Sequence, residues 1–320
     1  MCIAFSALDQ LGYALIICTN RDEFLRRPTM ASDWHSFDQD PNGSTRPVLS
    51  GRDVKAGGTW FGINRVTGHV ALLTNITEPP QAFTSSRGSL ASAFLLAERA
   101  ADQVTLGDQV SALFPSEGQY AGFNMLLFAP QAASVSHDLL SFDGALVTNH
   151  GAGGHIAARP LSGQERYAMG CSNGVDGEGA DAWPKVRQGV SDFQQIMRDF
   201  SGTNPMDEEA LTERLFTLLQ WRSDSPVTER ADLRNTIQVI PFVYPSAGSA
   251  GPYGTRLSTV LLVRRDGQAL FVERDIWTLQ DSTKVVKAHP LSQRVHRFTL
   301  DREGCQALSD EFASKSLPNL

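Results

Sequence analysis

A cysteine stands at position 2 on the apolar run MCIAF, and the compact quartet Asn20-Arg21-Asp22-Glu23 follows a second apolar run, YALIICT. Together these residue types could carry nucleophilic chemistry. Removal of Met1 would leave Cys2 with a free α-amine. An α-amine titrates at about 7.7–8.0 and a thiol at about 8.5, so both sit near neutrality. The amine can then take the thiol proton itself, directly or through a water. Such a nucleophile needs a cation to favour thiolate, an acceptor to orient the amine, and donors for a developing oxyanion. Arg21 and Asp22 could supply the first two. Cysteine is also among the most buried residue types, so Cys2 equally fits an inward-packed hydrophobe. An adjacent Arg–Asp pair equally fits a loop cap or a surface pair.

The choice depends on the elements that position these groups. Met1 to Ala7 and Tyr13 to Cys18 are joined by LDQLG, which reads as a hairpin that returns NRDE to the chain start. Thr19 to about Ala56 reads as a long irregular loop, a length more often functional than structural. TWFGIN and HVALLTNI read as a second hairpin, and Leu90 to Ala101 and Ser111 to Phe114 as helical. FNMLLFA, ASVSH and GALVTNH follow as strands. Pro184 fits the first position of a helix whose Val186, Val190, Phe193, Ile196, Met197 and Phe200 recur at helical spacing. Glu208 to Leu219 is a further helix. TIQVIPF, STVLLVR, ALFVERDIW and RVHRFTL read as strands, and Gln306 to Phe312 as a short helix.

Runs of strands alternating with runs of helices favour the α+β class, with two antiparallel sheets face to face and helices outside. No internal repeat or clean linker divides the chain, and SAGSAGPYG is short enough to be a loop. The expectation is one domain over residues 1–320, with a core to about 300 and a tail from about 301.

Lys plus Arg number 28 against 35 Asp plus Glu, a net charge of -7. That balance lacks the basic footprint of general nucleic-acid binding and does not favour an anionic membrane surface. The four cysteines are scattered without a CxxC pair, which suits a reducing compartment. No stretch reaches the length of a transmembrane segment, and no charged region precedes an apolar one at the start, so a cytoplasmic protein is expected. Gly57, Gly58 and Gly62 allow tight turns, and Trp60 fits either a pocket wall or core filling. His150 and His155 are five apart in a glycine-rich stretch with no cysteine or carboxylate nearby to complete a zinc set, so no metal site is expected.

MCIAF, CTNRDEF, GGTWFGIN, LLTNITEP, GCSNG, AWPKV and YGTRLSTVLLV occur in an order that resembles the NRDE family, also called the transport and Golgi organisation 2 (TANGO2) family. The resemblance runs from Met1 to about Val263. It implies a four-layer αββα sandwich similar to the cysteine N-terminal-nucleophile (Ntn) hydrolases, the branch of bile-salt hydrolases and penicillin V acylases. Carried over, it implies Cys2 as nucleophile, Arg21 and Asp22 as the pair serving thiol and amine, Asn75 and Asn173 on the oxyanion, and Arg256 as a late arginine. Asn20, Glu23, Gly58 and Trp60 would then contact substrate. The hydrolases have RNxD where this chain has NRDE, which leaves Asp22 and Glu23 both open as holders of the amine.

The implied activity is amide or acyl-thioester hydrolysis or acyl transfer, with no cofactor required and a small acyl amide or acyl-CoA as partner. The family resemblance also implies an alternative, a non-catalytic factor in haem trafficking, lipid and acyl-CoA homeostasis or secretory-pathway organisation. A haem would need an axial ligand such as His, Cys, Met or Tyr. By the same resemblance, mitochondrial or Golgi association is an alternative location.

Overall fold

The computed structural model describes residues 1–38, 46–79, 81–100, 104–114, 119–131, 139–201, 207–243 and 250–301. Its first sheet has the order β10-β1-β2-β11-β12-β15, all antiparallel. The strands are β1 (Ile3–Gln10), β2 (Tyr13–Phe24), β10 (Met169–Cys171), β11 (Tyr253–Arg264), β12 (Gln268–Asp275) and β15 (Gln293–Thr299). The second sheet runs β3 (Thr29–His35), β4 (Val48–Asp53), β5 (Phe61–Asn64), β6 (Val70–Asn75), β7 (Phe123–Pro130), β8 (Phe142–Thr148) and β9 (Ala157–Pro160) in sequence order. A small ribbon pairs β13 (Trp277–Gln280) with β14 (Lys284–Lys287).

Side-chain alternation along the strands builds the layers. Ala4 and Leu8 of β1 and Leu15 and Ile17 of β2 face Leu49, Phe61, Ile63 and Leu72 of the other sheet. The opposite side of the first sheet, with Ile3, Phe5, Ile16 and Cys18, packs under helices α4 (Pro184–Phe200) and α5 (Glu208–Leu218). Ala71, Leu73 and Met125 on the outside of the second sheet pack under α1 (Arg87–Leu96) and α2 (Leu106–Leu113). A short helix α3 (Gly163–Tyr167), closed by a Ser162–Glu165 capping box, leads into β10. The result is the expected α+β, αββα sandwich. Each fully buried large apolar side chain in these three interfaces contributes about 1.5–3 kcal/mol.

Two features of this packing place the site. The ten residues Tyr13 to Asp22 of β2 are all buried, so the polar residues from Thr19 onward must find partners inside the molecule. Helix α4 starts with Pro184 at N1 and lays Lys185, Val186, Gly189, Phe193, Ile196 and Met197 on the sheet. A Cβ on Gly189 would lie 2.1 Å from the Phe5 ring, so only glycine lets the helix seat this closely on β1.

Several sequence expectations need correction. The stretch from Thr19 to Ala56 is not one irregular loop: β2 continues to Phe24, and β3 and β4 lie within it. As an edge strand with Ser32 its one buried residue, β3 lacks the apolar alternation that marks a half-buried strand. TIQVIPF joins no ladder beyond a single bridge from Phe242 to Tyr253. Its backbone is bound instead by side chains and loops, with Val239 N–H on Thr255 Oγ1 and Gln238 N–H on the Trp221 carbonyl. The first helix after β6 ends at Leu96, and the second begins at Leu106. ALFVERDIW divides at Ile276 into β12 and β13. ASVSH, most of the SAGSAG stretch and Gln306 to Phe312 fall outside the described residues. No described helix is long and apolar enough to cross a membrane.

Candidate active site

The hairpin does return the quartet to the chain start. Ile3 pairs with Asn20, and the register continued by one residue sets Cys2 opposite Arg21 and by two sets Met1 opposite Asp22. On the other flank Ala4 pairs with Cys171, which carries Asn173 alongside Cys2. Ser172 Oγ fixes that edge by donating to the Cys2 carbonyl at 2.8 Å. Cys2 itself is half-buried, with its thiol 3.8 Å from the Asp22 carbonyl.

The α-amine of the chain start is 3.2 Å from Asp22 Oδ2, and both groups are buried. Tyr253 hydroxyl contacts the same amine and donates to the Asp22 carbonyl at 3.1 Å. Thr255 hydroxyl donates to the other carboxylate oxygen of Asp22 at 2.6 Å. Of the two carboxylates left open by NRDE, Asp22 is the one beside the Met1 amine. Glu23 points elsewhere, accepting from the Phe24 N–H and lying 3.6 Å from Arg27. Met1 is only 6% exposed: its sulfur accepts from Thr77 hydroxyl and its side chain joins Leu233 and Val239. Burial holds the amine's proton affinity below the ordinary value, against the opposing pull of Asp22.

Arg21 lies on the other side of the pleat, the side of Cys2. Its guanidinium lies 3.9 Å over the Trp60 ring, donates to Thr29 hydroxyl at 2.9 Å and faces Asp53 at 3.7 Å. Trp60 packs against the inter-sheet core, the filling role weighed for it, and its ring also stacks on the Arg21 guanidinium. A Cβ on Gly58 would lie 2.4 Å from the Gly88 carbonyl carbon, so the glycine serves the close approach of its loop to the start of α1. Arg256 sits at the bulge between Thr255 and Leu257 and donates to the carbonyls of Leu25 and Arg27, tying down the loop after β2.

The two asparagines meet, but not as a matched pair. Asn173 is buried, and its Nδ2 donates to the Asn75 carbonyl. Alternation along β6 puts the Asn75 side chain, which is exposed, on the face of Ala71 and Leu73. Asn20 is not in the cluster at all. It lies on the helix side of β2, donating to the carbonyls of Leu219 and Ile237 at 2.9 and 3.1 Å and accepting from Ser258 hydroxyl at 2.6 Å. Four participants went unnoticed in the sequence: Tyr253, Thr255, Ser172 and Lys185. Lys185 is fully buried, with Nζ 2.9 Å from the Met1 carbonyl oxygen, and burial pushes it down to about 8. The apolar stripe of α4 extended back one turn lands on it.

Burial raises the Cys2 thiol, while the positive chain start and Arg21 pull it back down. Cys18 and Cys171 are free thiols pushed up by burial alone or with little relief, Cys171 to about 12, so neither ionises. A histidine–hydroxyl contact lies in a cleft of about 230 Å³ lined by Met30, Trp34, His35, Asp38, Arg46 and Ser50, none of them in the cluster. His35 Nδ1 accepts from the Phe37 N–H, so Nε2 carries the hydrogen and donates to Ser50 Oγ at 2.8 Å, the wrong direction for a base. His150 and His155 are exposed after β8, and among the described residues no three His, Cys, Asp or Glu side chains gather as a metal set.

The chain is similar to several known proteins. A crystal structure of a mutant conjugated bile acid hydrolase from Clostridium perfringens aligns with a TM-score of 0.46 and 8% identity, over 94% of this chain and 98% of that one. The transport and Golgi organization protein 2 homolog of Bos taurus is 31% identical over 290 residues, 86% of this chain and 93% of its own length. The Homo sapiens homolog is 28% identical over 289 residues, again 86% and 93%. The family model described as "Transport and Golgi organisation 2" matches residues 1–278. The chain belongs to the TANGO2 family.

Proposed function

We propose that the protein is a cysteine N-terminal-nucleophile enzyme that transfers an acyl group from an amide or thioester to water or an amine. The observation that carries this reading is the chain start itself: an amine buried on Asp22, with the next residue's thiol set opposite Arg21. Removal of Met1 leaves the Cys2 nitrogen as the α-amine of this cluster. Its lone pair takes the Sγ proton, and the thiolate attacks the substrate carbonyl carbon. Arg21 favours the thiolate, and Asp22, held by Thr255, orients the ammonium. Asn173 offers the second hydrogen of its Nδ2 to the oxyanion, while the Asn75 carbonyl fixes the plane of that amide. Collapse of the tetrahedral intermediate expels the amine or thiol with the proton from the ammonium. Water then cleaves the Cys2 thioester, releasing the acid and restoring the thiol. Arg256 acts by holding the loop on which Arg27 stands.

The test is intact-mass spectrometry after incubation with an activated acyl ester and, separately, an acyl-CoA. The expected result is a chain lacking Met1 that gains one acyl group, and no gain in Cys2→Ala. A processed chain whose Cys2 alkylates with iodoacetamide but takes no acyl group from either probe refutes the reading.

One observation favours a second reading. While Met1 is attached, the Cys2 nitrogen is locked in an amide and the chain start is buried. In that form the protein would bind an acyl-CoA, lipid or haem without turnover, in the transport and Golgi organisation for which its relatives are named.

A further inference from the structure

Lysine is almost never fully buried unless paired, yet Lys185 has no exposed surface. It is also the second residue of α4, at the positive end of the helix dipole, where a cation is disfavoured. Two costs at one position call for a compensating contact, and the contact is specific. Lys185 Nζ lies 2.9 Å from the Met1 carbonyl oxygen and 3.4 Å from the Cys2 carbonyl oxygen. These oxygens flank the Cys2 nitrogen. The oxygen and nitrogen of one amide are about 2.3 Å apart, so that nitrogen is within about 5 Å of Nζ. Gly189, one turn further along α4, lets the helix sit close enough to β1 for this reach.

We propose that Lys185 is a positioning residue for the nucleophile: its buried ammonium holds the Cys2 carbonyl and, once Met1 and its carbonyl are gone, sets a positive charge beside the new α-amine. The proposal rests on Cys2 acting as an N-terminal nucleophile. Two cationic amines then share the single carboxylate of Asp22, and the α-amine, as the weaker base, is the one left neutral. A neutral amine is the form able to take the Sγ proton. The groups facing Lys185 are the chain-start amine, the Cys2 thiol, Asp22 on β2 and Cys171 on β10. The amine faces Asp22, Lys185, the Cys2 thiol and the Tyr253 hydroxyl. In the intact chain Lys185 already lowers the amine's proton affinity. Unit charges about 5 Å apart in a medium between protein and water displace a titration by about one to two pH units.

The test is a pH titration of processed protein labelled with ¹³C-cysteine, following the Cys2 α-carbon by NMR in wild type, Lys185→Gln and Lys185→Met. Gln keeps a donor for the Cys2 carbonyl without the charge. The expected result is an amine midpoint raised by about one to two pH units in both variants. An unchanged midpoint in a folded variant overturns the proposal. Should neither variant fold, ¹³C-lysine-labelled wild type decides, since the chain has only five lysines. A Lys185 signal titrating well below the ordinary lysine value of about 10.4 supports the proposal, and one titrating at that value overturns it. Neither titration needs a substrate. Failure to acylate with the amine shift present refutes the enzyme reading alone. Acylation with an unmoved midpoint refutes only the role of Lys185.

Discussion

Replacing Asp22 by Asn in the intact chain removes the carboxylate from a buried amine without changing the side chain's shape. At an effective dielectric of about 20, charges 3.2 Å apart attract by about 5 kcal/mol. That figure overstates the loss, because the amine can release its proton instead. From an ordinary value of about 8.0, deprotonation at pH 7 costs about 1.4 kcal/mol. The lost charge-assisted contact adds about 1 kcal/mol, while the carboxamide oxygen still accepts from Thr255. The expected destabilisation at neutrality is therefore about 2–3 kcal/mol. Its pH dependence has a definite sign. Burial already lowers the amine's affinity in the folded wild type, so stability falls as pH drops from 8.0 towards the folded value. Without the carboxylate the folded value drops further and the window widens downward. The deficit of the variant thus grows as pH falls, by up to about 1.4 kcal/mol per unit. Urea unfolding followed by tryptophan fluorescence between about pH 6 and about pH 8 measures it. A deficit that is constant, or that shrinks as pH falls, refutes the assignment of the amine to Asp22.

Gly58→Ala should cost about 2–3 kcal/mol in unfolding free energy, because its Cβ meets Gly88 backbone at 2.4 Å and neither loop nor helix can yield as a side chain would. Gly88→Ala, whose nearest contact is 3.2 Å, should be close to neutral, with helix propensity offsetting the strain; equal losses at the two sites would contradict this packing. Asn20→Ala leaves two buried carbonyls and the Ser258 hydroxyl without their partner and should cost about 3 kcal/mol by urea unfolding. The iodoacetamide reactivity of Cys2 should stay unchanged in the folded variant. A reactivity change would return Asn20 to the site.

The legible part of this protein was the part that alternates cleanly. The first hairpin and the stripe of α4 both follow from period and turn chemistry. Asp22 could be preferred over Glu23 only with the register in hand, since the pairing that brings Met1 opposite Asp22 is a fact about β1 as much as β2. Asn20 sits one residue from Arg21 yet on the other face of the sheet, and sequence proximity concealed that separation. Polar β3 and side-chain-bound TIQVIPF misled for opposite reasons: one is a strand without an apolar face, the other an apolar run without a ladder. Lys185 was invisible because a binary pattern counts every lysine as solvent-facing. Only the stripe's geometry, run backwards to the helix start, exposes it.

The buried chain start also constrains how the molecule can be handled. Any affinity handle or fluorescent fusion joined ahead of Met1 replaces a cation with a neutral amide where Asp22, Tyr253 and Thr77 close in, and must thread through the packing of Leu233 and Val239. For the same reason an aminopeptidase meets no accessible substrate once the sandwich has closed.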